Sequence, residues 1–404
     1  MMLQDVCEVD FPPAVYGESL ETIEATCSQV IERIFRDDDG MIRSGVSGRT
    51  MKPLAPEEVL DRPEGRGGGK ESSAMPNHLK ATWLTYEDAC MASGRYLVAL
   101  SEKFVATGDH DIAELARKTF HAIEQLWKNA AACSEGYGWM PKPYGGIHQL
   151  SGIHETSPDQ YGDLTLGLEH YYDHVATSAE RTTIEQMVTS FVDWWVNHDW
   201  TITYLGQTVR THRHVRVHSV AIFLYITALA YRYRPLQRYE QAFAFWLERC
   251  EHLFIGKFKQ SDVAGQALEA VARLVTLRPE HAHCWRRAVE VNAEHVSRCI
   301  EVEGDAVRQW ADEAYGMNIL HKAAHYLSVA HRILPDTGYG EKARLGIGHC
   351  HRREQFFHVG RGQKIEDLDP VVRGDDYRDI FYATDHASWL CAYWILRNSE
   401  RNSA

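Results

Sequence analysis

The feature that most constrains this chain is a succession of helical hydrophobic patterns with no convincing run of strands between them. Apolar residues at three- and four-residue spacing predict helices over Ser19–Phe35, Leu79–Ala106, Asp111–Ala131, Asp159–Val175, Ser178–Val196 and His212–Tyr231. The pattern continues over Gln237–Phe254, Asp262–Leu277, Glu280–Glu301, Ala311–Leu334, a weaker Lys342–Phe357, and Tyr382–Arg397. Strongly apolar members such as His212–Tyr231 alternate with amphipathic ones such as Asp111–Ala131. That alternation suits inner and outer rings of helices, because an inner helix is covered all round and an outer one on a single face. The expected fold is therefore all-α, an (α/α)6 toroid of six helical hairpins, with residues 1–404 forming one domain. An open solenoid of helix pairs is the alternative, and the absence of a fixed-length repeat weighs against it.

Between the first two helices lies a long segment, about 40–77, broken by Arg62-Pro63 and by Arg66-Gly67-Gly68-Gly69-Lys70. The glycine run is not a phosphate loop, since no strand precedes it and no Gly-Lys-Ser/Thr ending follows. Segments of this length usually serve a function, and a lid over a cavity or a homodimer contact are the two roles open to it.

Charge narrows the partners. A formal net charge of −13 argues against binding to nucleic acid or to an anionic membrane, either of which needs a basic face. Local basic clusters, notably Arg210, Arg213 and Arg216, still leave room for an acidic ligand. Met1 to Tyr16 has neither a basic n-region nor an apolar run, and no stretch approaches the ~20 apolar residues of a membrane span. The nine cysteines are scattered, odd in number and without a C-x-x-C pair, so a reduced, cytoplasmic protein is expected. His214 and His218 have the i, i+4 spacing of a metal pair, but Arg213 and Arg216 would repel a cation, and no metal or other cofactor is expected.

The chemistry gathers where the predicted inner helices begin. Asn77, His78, Trp83, Tyr86, Glu87 and Asp88 lie at the first such start. Trp139, Tyr144, His148, His154, Glu155 and Asp159 lie at the second, and Arg210, His212, His214, Arg216 and His218 at the third. The later starts carry Asp262 and Gln266, then Trp310, Asp312, Glu313 and Tyr315, and finally Tyr382, Asp385 and His386. In a toroid these starts meet at one mouth. Aromatic faces, carboxylates and arginines together suit carbohydrate: rings cover sugar faces, Asp binds hydroxyls, and Arg forks a uronate carboxylate. Several residues have plainer readings. Trp194, Trp195 and Trp389 fit the core, His281 and His283 the surface, and Asp159 alone could do no more than complement a helix dipole.

The sharpest motif is Ser157-Pro158-Asp159-Gln160-Tyr161 running into Gly167-Leu168, a serine N-cap and first-position proline opening a helix. With the helical pattern around it, this resembles the (α/α)6-barrel glycosidases that act on uronates, the unsaturated glucuronyl hydrolases and related β-glucuronidases. The likeness in organisation covers most of the chain. It implies that Asp159 is the general acid and that Asp88, or Glu87 beside it, is the partner carboxylate on the preceding inner helix. The chemistry is consistent, because glycosyl transfer to water needs a protonated carboxyl at the leaving oxygen and a second carboxylate as base or nucleophile. Burial near Tyr161 would raise the pKa of Asp159 while the helix N-terminus lowers it.

The expected activity is hydrolysis of a uronic-acid-containing oligosaccharide, with substrate contacts from His78, Trp139, Tyr144, His148, Arg210, His212, His214, Arg216, Asp312, Tyr315 and Asp385. A sugar 2-epimerase or a polysaccharide lyase on the same scaffold would use His or Tyr as base, and the 22 histidines keep that alternative open. A non-catalytic helical scaffold is the third, and it would lack a carboxylate-lined pocket.

Overall fold

Six helices close into an inner ring: α3 (Ala89–Thr107), α5 (Pro158–His174), α7 (Val217–Tyr233), α9 (Ser261–Leu277), α11 (Leu320–Ile333) and α13 (Ala383–Ser403). Each packs on the next and α13 returns to α3, so the ring has no open end. An outer helix backs every inner one: α1 (Leu20–Val30) behind α13, then α4 (His110–Ala130), α6 (Ser178–Asn197), α8 (Gln237–Leu247), α10 (Ala282–Ser297) and α12 (Tyr339–His349). A short helix, α2 (Asn77–Tyr86), precedes the first inner one. The structure, a computed structural model, describes residues 19–47, 50–59, 77–150, 153–204, 207–213, 216–255, 261–303, 306–309, 320–349 and 380–403. The architecture is the (α/α)6 toroid that the hydrophobic pattern predicts.

Local sequence explains the rings. In α7 every residue from His218 to Ala230 is buried, as an all-round apolar helix requires. In α4 burial follows one face, through Ile112, Ala116, Phe120, Ile123 and Trp127. Gly108, left-handed at φ 66°, ends α3, and a Thr177–Glu180 capping box starts α6. Trp195, Trp200, Phe223 and Trp246 pack together between α6, α7 and α8, and Trp389 is fully buried.

The two ends of the toroid differ because the connections differ. From inner to outer helix the chain turns within a few residues, as at Gly108–Asp109 and Val175–Thr177. From outer to inner helix it takes long excursions, through 31–88, which includes α2, and through 131–157, 198–216, 248–260, 298–319 and 350–382. All the long connections therefore open onto the end where the inner helices begin. Among the described residues they carry three two-stranded antiparallel sheets, absent from the sequence expectation: β1 (Gly45–Ser47) with β6 (Ile380–Tyr382), β2 (Thr201–Tyr204) with β3 (Gln207–Arg210), and β4 (Ile300–Glu303) with β5 (Ala306–Gln309). Runs of three or four residues are too short to show a period of two. The β1–β6 pair ties the chain after α1 to the start of α13, with Gly45 opposite Tyr382.

Helix boundaries also differ from expectation: Glu280–Glu301 ends as a helix at Ser297, before β4, and His212–Tyr231 begins at Val217. Leu79–Ala106 is not one helix but two, broken at Glu87–Asp88 without a glycine or proline. The Asp88 backbone sits at φ −105°, ψ 24°, and its N–H donates to Ser44 Oγ at 2.8 Å. Gln237–Phe254 is likewise α8 followed by a 3-10 turn, Cys250–Phe254. The segment 40–77 is not structureless throughout, since it holds β1 and a 3-10 turn at Pro56–Val59. Among the described residues no helix is long and apolar enough to cross a membrane, and the seven described cysteines are free.

Inside the ring lies a column of buried charge. Arg95 of α3, 2% exposed, donates from Nε to Asp163 of α5 at 2.6 Å, from Nη1 to Ser388 of α13 at 2.8 Å, and from Nη2 to Tyr326 of α11 at 2.8 Å. Deeper, Glu102 accepts from Arg332 at 2.7 and 2.9 Å and from Asn398 at 2.8 Å. Burial opposes ionisation of Glu102, but Arg332 and His170 outweigh it and hold the carboxyl well below its usual range. Glu169, fully buried, accepts from Arg273 and Tyr225, both at 2.8 Å.

Helices α3 and α5 cross closely because both present glycine. A Cβ on Gly94 would lie 2.3 Å from the Asp163 carbonyl oxygen, and one on Gly167 would lie 2.4 Å from that of Gly94. Gly167→Ala gains up to about 1 kcal/mol of helix propensity. Forcing backbone from backbone in a packed core costs about 1–3 kcal/mol or more. The clash should win, and urea unfolding of Gly167→Ala should show a net loss of at least about 1 kcal/mol. An unchanged or higher midpoint would contradict the close crossing.

Candidate active site

The α3 and α5 starts bring two carboxylates into one hydrogen-bonded unit. Asp88 occupies the N-cap position of α3, yet its side chain does not cap that helix. Its Oδ1 instead accepts from Gln160 Nε2 of α5 at 3.0 Å. Asp159, in the first turn of α5, accepts through Oδ1 from the Ser157 hydroxyl and from the Gln160 backbone N–H at 3.1 Å. Ser157 holds the extended N-cap conformation the motif predicts, but its hydroxyl serves Asp159 rather than the helix backbone. Both aspartates are half-buried, and among the described residues no partner engages the Oδ2 of either.

The loop before α5 builds a wall beside this pair. Met140 N–H donates to the Tyr161 hydroxyl, which donates to the Gly138 carbonyl, so the loop is fastened to the first turn of α5. Trp83 Nε1 donates to the Tyr144 hydroxyl, which donates to Glu155 Oε2 at 2.7 Å. Burial, with Glu87 and Glu155 nearby, pushes the Tyr144 phenol far up, so it remains a neutral donor. Lys142, 2% exposed, pairs with Glu87 at 2.8 Å. Glu87 is thus occupied by a cation, whereas Asp88 faces α5. Glu155 also bridges by its backbone to Thr203, joining this loop to the β2–β3 hairpin.

A second group sits at the starts of α11 and α13. Asp385, 1% exposed, lies 2.9 Å from Nε2 of the equally buried His321. His386 is 3.2 Å from the Tyr382 carbonyl through Nδ1. A carbonyl only accepts, so Nδ1 carries the proton and Nε2 a lone pair. Burial drives the His386 pKa down to about 4, against upward pulls from that carbonyl and Asp385 and with a downward push from His321.

The remaining residues expected to touch substrate are dispersed. Trp139 is fully buried in the core, where its ring faces are covered. His148 is exposed beside Asp39 at 3.2 Å, in a groove formed with Glu114, Arg117 and Lys118 on the outer face of α4. Arg210 ends β3 and is exposed, as are Arg213 and Arg216, and none has an acidic partner among the described residues. His212 is half-buried against Phe245, and His78 lies in α2. His214, Asp312 and Tyr315 lie outside the described residues. The sequence reading gave no role to Gln160, Lys142 or His321. The signal available for His321 was an i, i+4 pair with His325 on one helix. Among the described residues no group of three or more His, Cys, Asp or Glu could hold a metal ion.

No protein-family model matches this chain, and no curated protein matches it in sequence. Solved structures share its fold. A family 76 glycoside hydrolase (mannosidase) from Bacteroides thetaiotaomicron is 10% identical, with 95% of this chain and 99% of that one covered at a TM-score of 0.59. An unsaturated glucuronyl hydrolase specific for heparin is 9% identical, with 95% and 97% covered at 0.54. A sugar epimerase from a ruminal bacterium is 10% identical, with 93% and 99% covered at 0.52. The chain has the six-hairpin, glycosidase-like fold of these enzymes, and at such identities the likeness is one of fold.

The depressed His386 makes a testable contribution to stability. Its unfolded value is near 6.5, and its folded value is about 4. Protons therefore bind the unfolded chain preferentially as pH falls through that window. The favourable contribution of a neutral His386 is fully present above about 6.5 and lost by about 4, some 3 kcal/mol in all at ~1.4 kcal/mol per unit. His386→Gln should show a flatter fall in urea-unfolding stability between those values than the wild type. Parallel curves would contradict the buried, neutral imidazole.

Proposed function

We propose that this protein is a glycoside hydrolase of uronic-acid-containing oligosaccharides, with Asp159 as general acid and Asp88 as its partner base. The observation that carries the reading is the pair itself. Two half-buried carboxylates on adjacent inner helices are each held through Oδ1, with Oδ2 unengaged among the described residues. A protonated Asp159 can accept through Oδ1 while Oδ2–H donates to the glycosidic oxygen. As the bond from that oxygen to the anomeric carbon breaks, the proton leaves with the alcohol. Water attacks the anomeric carbon and gives its proton to Asp88.

The uronate preference rests on charge. Arg210, Arg213 and Arg216 are exposed where the third inner helix begins, without acidic partners among the described residues, in a protein of net charge −13. Guanidinium forks suit a sugar carboxylate. His212, His214, Tyr144, Asp312, Tyr315 and Asp385 complete the proposed substrate contacts. The fold of a heparin-specific unsaturated glucuronyl hydrolase supports the same substrate class.

A second reading, a sugar epimerase, has its own observation. A neutral His386 with a lone pair on Nε2, beside the His321–Asp385 pair, is the equipment for taking a proton next to a sugar carbonyl. The fold of the ruminal sugar epimerase is consistent with it. One panel separates the two. Wild type, Asp159→Asn, Asp88→Asn and His386→Gln would be assayed on saturated and Δ4,5-unsaturated uronide disaccharides, and on free mannose and glucose. Hydrolysis should fall by about 10²–10⁴-fold in each folded aspartate variant and far less in His386→Gln. Interconversion of the free sugars that depends on His386 and survives Asp159→Asn would replace the hydrolase reading with the epimerase.

A further inference from the structure

Gln160 links the two aspartates and has an arrangement that packing does not explain. It is fully buried, on α5 immediately after Asp159. Its side-chain amide crosses to α3 and donates to Asp88 Oδ1, while its backbone N–H donates to Asp159 Oδ1. One residue thus touches both carboxylates. Its remaining polar atom, Oε1, is buried with no hydrogen-bond partner among the described residues.

That orphan atom shows what orients the amide. Rotating it by half a turn would aim Oε1 at the Asp88 carboxylate, acceptor against acceptor. The observed orientation makes the bond to Asp88 and leaves Oε1 unsatisfied, an arrangement natural cores generally avoid. A side chain needed only to fill space would be Leu or Met, of similar length and without a buried acceptor. Asp88, moreover, has no other side-chain hydrogen bond among the described residues, and it forgoes the capping bond usual for aspartate at its position.

We propose that Gln160 is a positioning residue that holds Asp88 in register with Asp159, so that the unengaged oxygens of the two carboxylates face a common substrate. The inference rests on the hydrolase reading above. Gln160 itself touches neither substrate nor reacting atoms. Through its amide hydrogen it fixes the side-chain rotation of Asp88.

The test uses the full chain and the uronide disaccharide that the wild type hydrolyses. Gln160→Met removes both polar atoms at nearly constant volume, and Gln160→Glu keeps the shape but sets a carboxyl against Asp88. In Gln160→Met, kcat should fall about 10–100-fold with KM within about twofold, since a loosened base weakens the transition state rather than substrate binding. The acid limb of kcat/KM should move to higher pH, and further in Gln160→Glu, where two carboxyls must share one site. Thermal melts should show both variants folded, with Gln160→Met at least as stable as the wild type. Wild-type kcat and pH profile in both variants would overturn the inference, and so would failure of both to fold, which would make Gln160 a folding requirement. Asp88→Asn and Asp159→Asn serve as controls. If both lose activity while the Gln160 variants keep theirs, only this inference falls. If Asp88→Asn stays active, the hydrolase reading itself falls.

Discussion

A guanidinium with 2% exposure, such as that of Arg95, stays inside a helical barrel only if the desolvation it suffers is answered by well-placed acceptors. Those acceptors come from three other inner helices, through Asp163, Tyr326 and Ser388. The requirement acts on the whole ring. Removing any one acceptor would leave buried charge less well matched, so α3, α5, α11 and α13 are bound to one relative arrangement. The Glu102–Arg332 and Glu169–Arg273 groups repeat the device lower down, and the second of these reaches α7 and α9. Apolar burial supplies the drive to close the ring. The charged column selects which closed ring forms, because hydrophobic contact alone would tolerate helices sliding past one another.

This rigidity matters at the mouth. The helix starts that carry Asp88, Asp159, His321 and Asp385 continue downward into the column, so their positions are inherited from it. Parallel inner helices also aim their positive dipole ends at the same end of the barrel. On the uronide reading proposed above, these dipoles and the exposed Arg210, Arg213 and Arg216 would together favour an anionic ligand in an overall acidic protein. Carboxylates and histidines placed there can remain close together because backbone N–H groups and buried cations such as Lys142 lie among them.

Much of the fold was legible from the sequence, and the reasons are specific. His212–Tyr231 and Asp111–Ala131 differ so clearly in apolar coverage that inner and outer rings follow from composition and period alone. The start of α5 was legible because Ser157-Pro158 is strong local chemistry. The start of α3 was not, since the break at Glu87–Asp88 depends on Ser44, more than forty residues away, capturing the Asp88 N–H. A tertiary hydrogen bond leaves no local signature. For the same reason Asp88 read as a mid-helix residue, and Gln160 as an unremarked letter between Asp159 and Tyr161. Trp139 is indistinguishable by type from a sugar platform, and only the fold shows its faces covered. The three small sheets escaped because a three- or four-residue strand has too few alternations to register.

The glycine contact between α3 and α5 has a geometric meaning beyond close packing. Gly94 lies six residues below Asp88 and Gly167 eight below Asp159, roughly 9 and 12 Å along their helices at 1.5 Å per residue. The crossing therefore acts as a pivot, and the two aspartates sit at the ends of lever arms rising from it. A small change of crossing angle at the pivot becomes a larger change of separation at the tips. Carboxylate separation is the quantity that divides retaining from inverting glycoside hydrolysis. On the hydrolase reading proposed above, then, stereochemical outcome would be a property that substitutions at the crossing alter from roughly two turns below Asp88 and Asp159, without replacing either.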